Sequence, residues 1–152
     1  VPPKYQDIPA ANIPEVVTPE CRVRVIRGTY ENTTGPAESL MPVRVLDTTL
    51  QPKANWLIEP AKDNTFFFCI YDGSINALNS NGAMQEISAP SIFTFDGEGQ
   101  VEICAKETGA GVLYCEGTPL NEPVARYGPF VMNTQAEIKQ AVDDYNSGVL
   151  AT

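Results

Sequence analysis

The sequence predicts an all-β fold that ends in a single α-helix. Three observations favour this class: short apolar segments rich in β-branched and aromatic residues, glycine-containing turns between them, and one helical pattern confined to the C-terminus. Short strands separated by glycine turns are typical of a β-sandwich or a β-barrel. The chain has 152 residues, which is the length of one domain with its own hydrophobic core.

The first segment, residues 1–20, is rich in proline and is predicted to be a connector or an extended arm. Proline fixes φ and lacks an amide hydrogen, so this stretch is not expected to join a central sheet or a helix. We therefore predict that the β domain begins at Cys21.

Strands are predicted from residue 21 onwards. Residues 21–25 alternate apolar and charged side chains, residues 43–50 are rich in β-branched side chains, and residues 64–71 are mostly aromatic or apolar. Alternation is typical of a half-buried strand, whereas a continuous apolar run indicates a strand buried on both faces. Further short strands are predicted at 74–78, 91–95, 101–105 and 112–116.

Glycine turns are predicted to separate several of these strands. Asp72-Gly73 follows the aromatic segment, and residues 109–111 lie between the last two strands. Asn81-Gly82 is a hairpin signal, because a type I′ turn needs positive φ at both central residues. Each of these positions is expected to reverse the chain.

The C-terminal helix is predicted from its boundaries and its periodicity. Thr134 and Glu137 have the spacing of a capping box, and Gly148 is placed to end the helix. Apolar residues recur between them at helical spacing, which predicts one apolar stripe. The stripe consists of Ile138, Ala141, Val142 and Tyr145.

The chain contains no histidine, and this absence excludes most metal-dependent and histidine-based catalytic sites. Its net charge is −9, which argues against direct binding of nucleic acid, because a basic surface is needed to contact phosphates. No apolar run reaches the length of a membrane span. The composition therefore favours a partner or scaffold domain over a catalytic one.

Four cysteines, at positions 21, 69, 104 and 115, lack the C-x-x-C spacing of zinc or redox sites. The N-terminus also lacks the pattern of a secretory signal peptide. Reduced thiols in a cytoplasmic protein are the expected consequence.

An aromatic group in the middle of the chain has two interpretations. It lines a cavity for a flat ligand, or it fills the interior as core, since small barrels have only enough room for side chains. The sequence favours the core interpretation, and the ligand cavity remains the alternative. The group consists of Trp56, Phe66, Phe68 and Tyr71.

The segment from residue 122 to residue 134 has a distinctive pattern, in which a rigid glycine-proline turn precedes an aromatic anchor and the start of the helix. This pattern closely resembles the C-terminal signature of the pirin family. Residues 5–16 resemble the pirin interdomain connector, and residues 23–36 resemble the first strand and loop of its second domain. The signature residues are Tyr127, Gly128, Pro129, Phe130, Met132 and Asn133.

The resemblance implies a cupin-type β-sandwich or barrel, also called a double-stranded β-helix. Pirins are bicupins, in which an N-terminal barrel holds a metal, usually iron, through three histidines and a glutamate. This chain resembles the C-terminal barrel alone, so no cofactor is expected in it. The implied division is a connector at 1–20, a cupin-like barrel at 21–120, and the signature segment with the helix at 121–152 as part of the same domain.

The function implied by the resemblance is that of a metal-free domain that supports the N-terminal cupin and binds proteins. The signature segment and the helix stripe are expected to face the N-terminal cupin. Without that cupin their apolar surface is exposed, so the isolated chain is expected to self-associate through it. The whole protein is expected to be an iron-dependent quercetin-type dioxygenase or a redox-responsive regulator, with no catalysis by this domain alone. The alternative from a different class is a small-molecule-binding barrel with an aromatic-lined cavity.

Overall fold

The computed structural model describes residues 5–78, 82–95 and 99–149. The chain forms two compact units, residues 1–119 and 120–152. No helix within the described ranges has the length and apolar character needed to cross a bilayer. The division into residues 1–20, 21–120 and 121–152 remains a prediction.

The first unit is built from antiparallel strands. The strands are β1 Glu15–Val17, β2 Cys21–Arg27, β3 Thr29–Tyr30, β4 Thr33–Thr34, β5 Val43–Leu50, β6 Asn55–Ile58, β7 Thr65–Leu78, β8 Met84–Ser88, β9 Ser91–Phe93 and β10 Val101–Gly117. Their order in the main sheet is β1-β2-β5-β10-β7-β8, with β6 also paired to β10 and β9 also paired to β7. The hydrogen-bonded path ends at β1 and β8 and does not close, which is consistent with a β-sandwich.

Two long strands, β7 and β10, pair with each other in the middle of the sheet and link the strands on either side. Residues 101–105 of β10 lie between β6 and the second half of β7, whereas residues 110–117 lie between β5 and the first half of β7. The register shifts between these two halves. The strand on the other side of β10 is therefore β6 in its first half and β5 in its second half, and a β-bulge separates the two halves.

The predicted turns at Asp72-Gly73 and at residues 109–111 are wrong, because both strands continue through these positions. Gly73 and Gly109 have positive φ, at 65° and 78°, and Gly73 is paired with Ala110 across the bulge. A side chain on Gly73 would collide with the backbone of Gly109. Glycine serves here to bend two paired strands at the same level. Asn81 of the predicted hairpin lies outside the described residues.

The expectation that residues 1–20 would not join the central sheet or a helix needs correction. Glu15–Val17 forms the edge strand β1 on β2, and a short 3₁₀ helix spans Ala10–Asn12. An edge strand needs hydrogen bonds on one side only, so prolines can flank it. The carbonyl of Pro14 accepts from the amide of Val25 at 2.9 Å.

The interior of the first unit is closely packed with aromatic rings. The Phe68 ring stacks on Phe93 with centroids 5.0 Å apart, and it also contacts Trp56 and Tyr114. Offset and edge-to-face ring pairs add to the stabilisation that burial provides. Trp56 Nε1 donates to the Tyr30 hydroxyl at 3.1 Å, which satisfies the polar atom of a buried indole.

The second unit consists of the hairpin of β11 (Ala125–Tyr127) and β12 (Phe130–Met132), followed by α1 (Gln135–Ser147). The predicted helix is confirmed at both ends. Thr134 and Glu137 form a capping box, and Gly148 ends the helix in the left-handed conformation at φ 77°.

Candidate functional site: a buried carboxylate at the open end of the sheet

The site is built around Glu116, near the C-terminal end of β10. Side chains of a strand alternate between its two faces, so Glu116 shares the interior face with Val112 and Tyr114. Its side chain is only 2 % exposed. A charged side chain this deeply buried needs partners that compensate the loss of water.

Four hydrogen-bond donors meet the Glu116 carboxylate. Arg44 donates through Nε at 2.8 Å, and its Nη2 makes a further ion-pair contact. The Tyr114 hydroxyl and Asn64 Nδ2 each donate at 2.9 Å. The backbone amide of Ala61 is the fourth donor. Because a carboxylate offers about four lone-pair positions, this one is saturated.

The sheet register places Arg44 and Glu116 together. The two residues are direct cross-strand partners on β5 and β10, and opposite charges in this arrangement stabilise a strand pair. The Arg44 guanidinium carbon also lies 5.3 Å from the centroid of the Tyr114 ring. The arginine is therefore held by charge, by hydrogen bonds and by a cation–π contact.

The loop at residues 59–64, between β6 and β7, is anchored to this pair. Arg44 Nη2 donates to the Glu59 carbonyl at 2.7 Å. Asn64 donates to Glu116 and accepts from the Thr118 hydroxyl at 3.0 Å. These bonds tie the loop to β5 and β10, so the carboxylate organises three segments that are distant in sequence.

Electrostatics keep the Glu116 side chain ionised. Burial by itself raises the pKa of this carboxyl, but the donors from Ala61, Asn64 and Tyr114 and the charge of Arg44 outweigh it, so the pKa lies below its usual value. Burial raises the pKa of the Tyr114 phenol, which stays a donor. The arrangement is a fixed ion pair with no proton to exchange near neutral pH.

The residues at this end of the sheet do not fit a transition-metal ion. Glu116 has no free lone pair, and no group of three or more metal-ligating side chains occurs within residues 5–78, 82–95 and 99–149. A single carboxylate with amide oxygens, and with no imidazole or thiolate beside it, is also a poor ligand set for a transition metal.

A cleft of about 590 Å³ opens beside the ion pair. It lies against the end of β2, the start of β5 and the loop at residues 59–64. Its lining includes Arg27, Pro42, Arg44, Glu59, Lys62 and Glu116. The cleft therefore has charged side chains of both signs beside an apolar wall.

The predicted aromatic group is only partly brought together. Trp56, Phe66 and Phe68 lie in the buried core cluster, at 2 %, 7 % and 0 % exposure. Tyr71 lies on the other face of β7 and is 50 % exposed. Three members therefore pack in the interior, and the fourth contributes to the outer surface.

Tyr71 belongs to a second polar group on the outer face of the sheet. Its hydroxyl donates to Asp47 Oδ1 at 2.6 Å, and Arg24 Nη1 lies 3.5 Å from Asp47 Oδ2. The Tyr71 ring lies against Gly111, where any side chain would collide with the ring. Burial and Asp47 together raise the pKa of the Tyr71 phenol to about 12.

The predicted signature residues lie on the β11–β12 hairpin and its exit. Phe130 contacts Tyr145 of α1, with ring centroids 6.1 Å apart. Asn133 Nδ2 donates to Glu122 Oε2 at 2.9 Å and to the Pro123 carbonyl at 3.0 Å. The remaining members, Tyr127, Gly128, Pro129 and Met132, belong to the same hairpin, and Gly128 has a positive φ of 54°.

The predicted helix stripe divides into covered and exposed residues. Ile138 and Ala141 are buried, at 5 % and 4 % exposure, and Val142 is half-buried. Tyr145 is 66 % exposed. Of the four residues, Tyr145 presents the largest free apolar surface.

Comparison with known proteins identifies the family. Residues 45–151 match the family described as the pirin C-terminal cupin domain. The chain belongs to the pirin family. This match begins one residue after Arg44, and it contains Glu116 and the whole hairpin and helix of the second unit.

Relatives of this pirin-family chain are about twice its length. Pirin-like protein 2 of Arabidopsis thaliana is 33 % identical over 150 residues, which are 96 % of this chain and 47 % of that protein. Pirin-1 of the same plant is 33 % identical over 150 residues, covering 95 % of this chain and 51 % of its own length. The chain thus spans about half the length of these curated relatives.

Solved structures confirm the predicted fold class, all-β with a C-terminal helix and of cupin type. A quercetin 2,3-dioxygenase from Acinetobacter baumannii superposes with a TM-score of 0.89 and 30 % identity, covering 100 % of this chain and 52 % of that one. An RmlC-like cupin from Shewanella frigidimarina, at 8 % identity and a TM-score of 0.53, covers 78 % of this chain and 95 % of its own. The second likeness shows the fold alone.

Sequence reasoning missed the Glu116 site in this pirin-family chain. The pattern of residues 112–116 predicts a strand, and a glutamate at the end of a strand is common on a solvent-facing side. The signal that could have found it is the alternation of side chains along a strand. Val112 and Tyr114 predict an interior face, and Glu116 lies on the same face. An ionised residue on an interior face predicts a paired partner.

Proposed function

We propose that this chain is the metal-free cupin domain of a two-cupin protein, and that it supports and binds a metal-bearing N-terminal cupin. The observation that carries the proposal is the saturated Glu116 carboxylate, whose lone pairs are all engaged by donors of the same chain. Among the described residues, this deeply buried carboxylate fixes a loop, and no group of three metal-ligating side chains accompanies it.

Two further observations support a role without catalysis in this domain. The chain has no histidine to move protons or bind iron. Burial and the neighbouring Cys69 raise the pKa of the Cys115 thiol, which lowers its reactivity as a nucleophile. All four cysteines are free thiols, which supports the cytoplasmic location that we propose for this chain.

The proposed contact with the N-terminal cupin lies on the second unit. Several of its large apolar side chains are exposed, and relatives carry about as much chain again. We name these exposed residues of the hairpin and α1 the C-terminal patch, although Val131 lies on the hairpin face opposite to Tyr127: Val124, Tyr127, Val131 and Tyr145, at 75 %, 66 %, 53 % and 66 % exposure. In the absence of a partner domain, the same patch drives self-association.

The activity proposed for the whole protein belongs to the N-terminal cupin. The Acinetobacter baumannii relative is named a quercetin 2,3-dioxygenase, which supports an iron-dependent quercetin-type dioxygenase over a redox-responsive regulator. The alternative of an aromatic-lined ligand cavity has less support, because Trp56, Phe66 and Phe68 pack against one another and Tyr71 faces outward.

The experiment that tests this proposal has two measurements. Elemental analysis of the chain, expressed with added iron, is expected to find no stoichiometric transition metal. Sedimentation is expected to show self-association that Tyr127→Ser and Val131→Ser weaken. Tyr5→Ser is the matched control, because Tyr5 is 89 % exposed outside the C-terminal patch. One metal ion per chain, or self-association that responds equally to Tyr5→Ser, would contradict the proposal.

A further inference from the structure

We propose that the cleft beside the Glu116–Arg44 pair binds a small organic anion, specifically a carboxylate carried on a flat apolar body. This site is independent of the domain contact proposed above. It lies wholly within the first unit, and its ligand would be a small molecule.

Positive charge is concentrated in this cleft. Arg27, Arg44 and Lys62 line it, and they are three of the ten basic residues in a chain whose net charge is −9. The carboxylates of Glu59 and Glu116 also line it. The cleft therefore has one positive charge in excess, whereas the protein as a whole is negatively charged and repels anions.

The pairing of these cations leaves two of them available. Arg44 is neutralised by Glu116. Arg27 uses Nε and Nη2 on the hydroxyl and carbonyl of Ser39, which carry no charge. Within the described residues, Lys62 has no hydrogen bond or ion pair. A ligand carboxylate would thus find two cations, Arg27 and Lys62, with the Glu59 carboxylate as the one further anion in the lining.

The walls of the cleft explain why the anion should carry an apolar body. Pro42 and Val43 form one side, and Pro60 and Ala61 form another. The volume of about 590 Å³ lies within the usual range for small-molecule sites, which combine apolar walls with a few charged groups. An inorganic anion would leave these walls without contact.

The backbone on one side of the cleft is fixed by Gly28. This glycine has a φ of 76°, and a side chain there would lie 2.7 Å from the Val43 carbonyl oxygen. The Gly28 carbonyl accepts from the amide of Gly35 at 2.9 Å. The close approach of β2 to β5 holds the Arg27 side of the cleft against its apolar wall, which makes the site preorganised.

The test is a titration of the 152-residue chain with benzoate, followed by calorimetry or amide chemical shifts. We expect saturable binding with a Kd on the order of 1 mM. Added salt should weaken it, because exposed charges are screened. Lys62→Gln and Arg27→Gln should each weaken binding about two- to fivefold. Arg44 is left unchanged, because its loss would disturb the fold.

The matched controls separate an anion site from a merely apolar or merely basic surface. Lys139→Gln removes an exposed lysine on α1 and should leave the affinity unchanged. Benzamide has the shape of benzoate without the charge and should bind more weakly. Equal binding of benzamide, equal loss with Lys139→Gln, phosphate binding more tightly than benzoate, or no saturable benzoate binding would each overturn the proposal.

Discussion

The two faces of the sheet each carry an arginine, a carboxylate and a tyrosine, and the two groups behave differently. In the interior, Glu116 is held by Arg44 and by the Tyr114 hydroxyl. On the outer face, Asp47 is held by Arg24 and by the Tyr71 hydroxyl. The residue types correspond, so the difference between the groups comes from burial and from the number of donors.

Burial separates the two carboxylates. The Glu116 side chain is 2 % exposed, whereas that of Asp47 is 24 % exposed. Glu116 also accepts from a backbone amide and an asparagine on a distant loop. The interior group therefore has a large desolvation cost that its four hydrogen-bond donors and the charge of Arg44 offset, and removing any partner leaves a buried charge less well compensated. The outer group can exchange its partners for water.

The largest effect is expected from Glu116→Gln, which keeps the shape of the side chain and removes its charge. Arg44 then loses its counter-charge, and one donor faces an amide nitrogen, so the free energy of unfolding should fall by about 3–5 kcal/mol. Urea denaturation measures it. Glu102→Gln is the control on the same strand, because Glu102 is exposed. Equal losses in the two variants would remove the distinction between the faces.

A smaller effect is expected from Gly111→Ala. The new methyl group would displace the Tyr71 ring from Asp47, and the loss should be about 1 kcal/mol, the contribution of a typical hydrogen bond. Absorbance titration should then show the Tyr71 pKa falling from about 12 towards 10.0. In a Tyr71→Phe background the same glycine change should cost less. A Tyr71 pKa that stays at about 12 would show that the ring does not depend on Gly111.

The smallest effect is expected from Asp47→Asn. The amide oxygen can still accept from Tyr71, and the ion pair with Arg24 is partly exposed, so the free energy of unfolding should fall by less than about 1 kcal/mol. Thermal unfolding at low and high salt measures this, and the difference from the parent chain should shrink as salt rises. A loss as large as that of Glu116→Gln would contradict the comparison.

The strands could be predicted from the sequence where local patterns decide them. The strand at 43–50 was predicted at its observed bounds, because β-branched and alternating residues report a half-buried strand directly. The capping box at Thr134 was equally local. Gly73 and Gly109 misled the prediction, because a glycine that bends a long strand has the same sequence signal as one that reverses the chain.

The site depends on pairing between segments far apart in sequence. Arg44 and Glu116 are 72 residues apart, and only the register of β5 on β10 makes them neighbours. A local pattern carries no information about that register. The ring contact between Tyr71 and Gly111 is hidden for the same reason, since the glycine reads as a turn until β7 is placed beside β10.

The most direct test of the saturated interior site is the carboxyl titration of Glu116, followed by carbon-13 NMR with and without added zinc or iron. A pKa lowered in the folded state stabilises the fold above the unfolded pKa, and this stabilisation is lost as the pH falls through the folded value. We predict a Glu116 pKa below its usual value of 4.5 and a resonance that metal ions leave unchanged. A pKa raised towards neutrality, or a resonance shifted by stoichiometric metal, would contradict a structural role for this carboxylate.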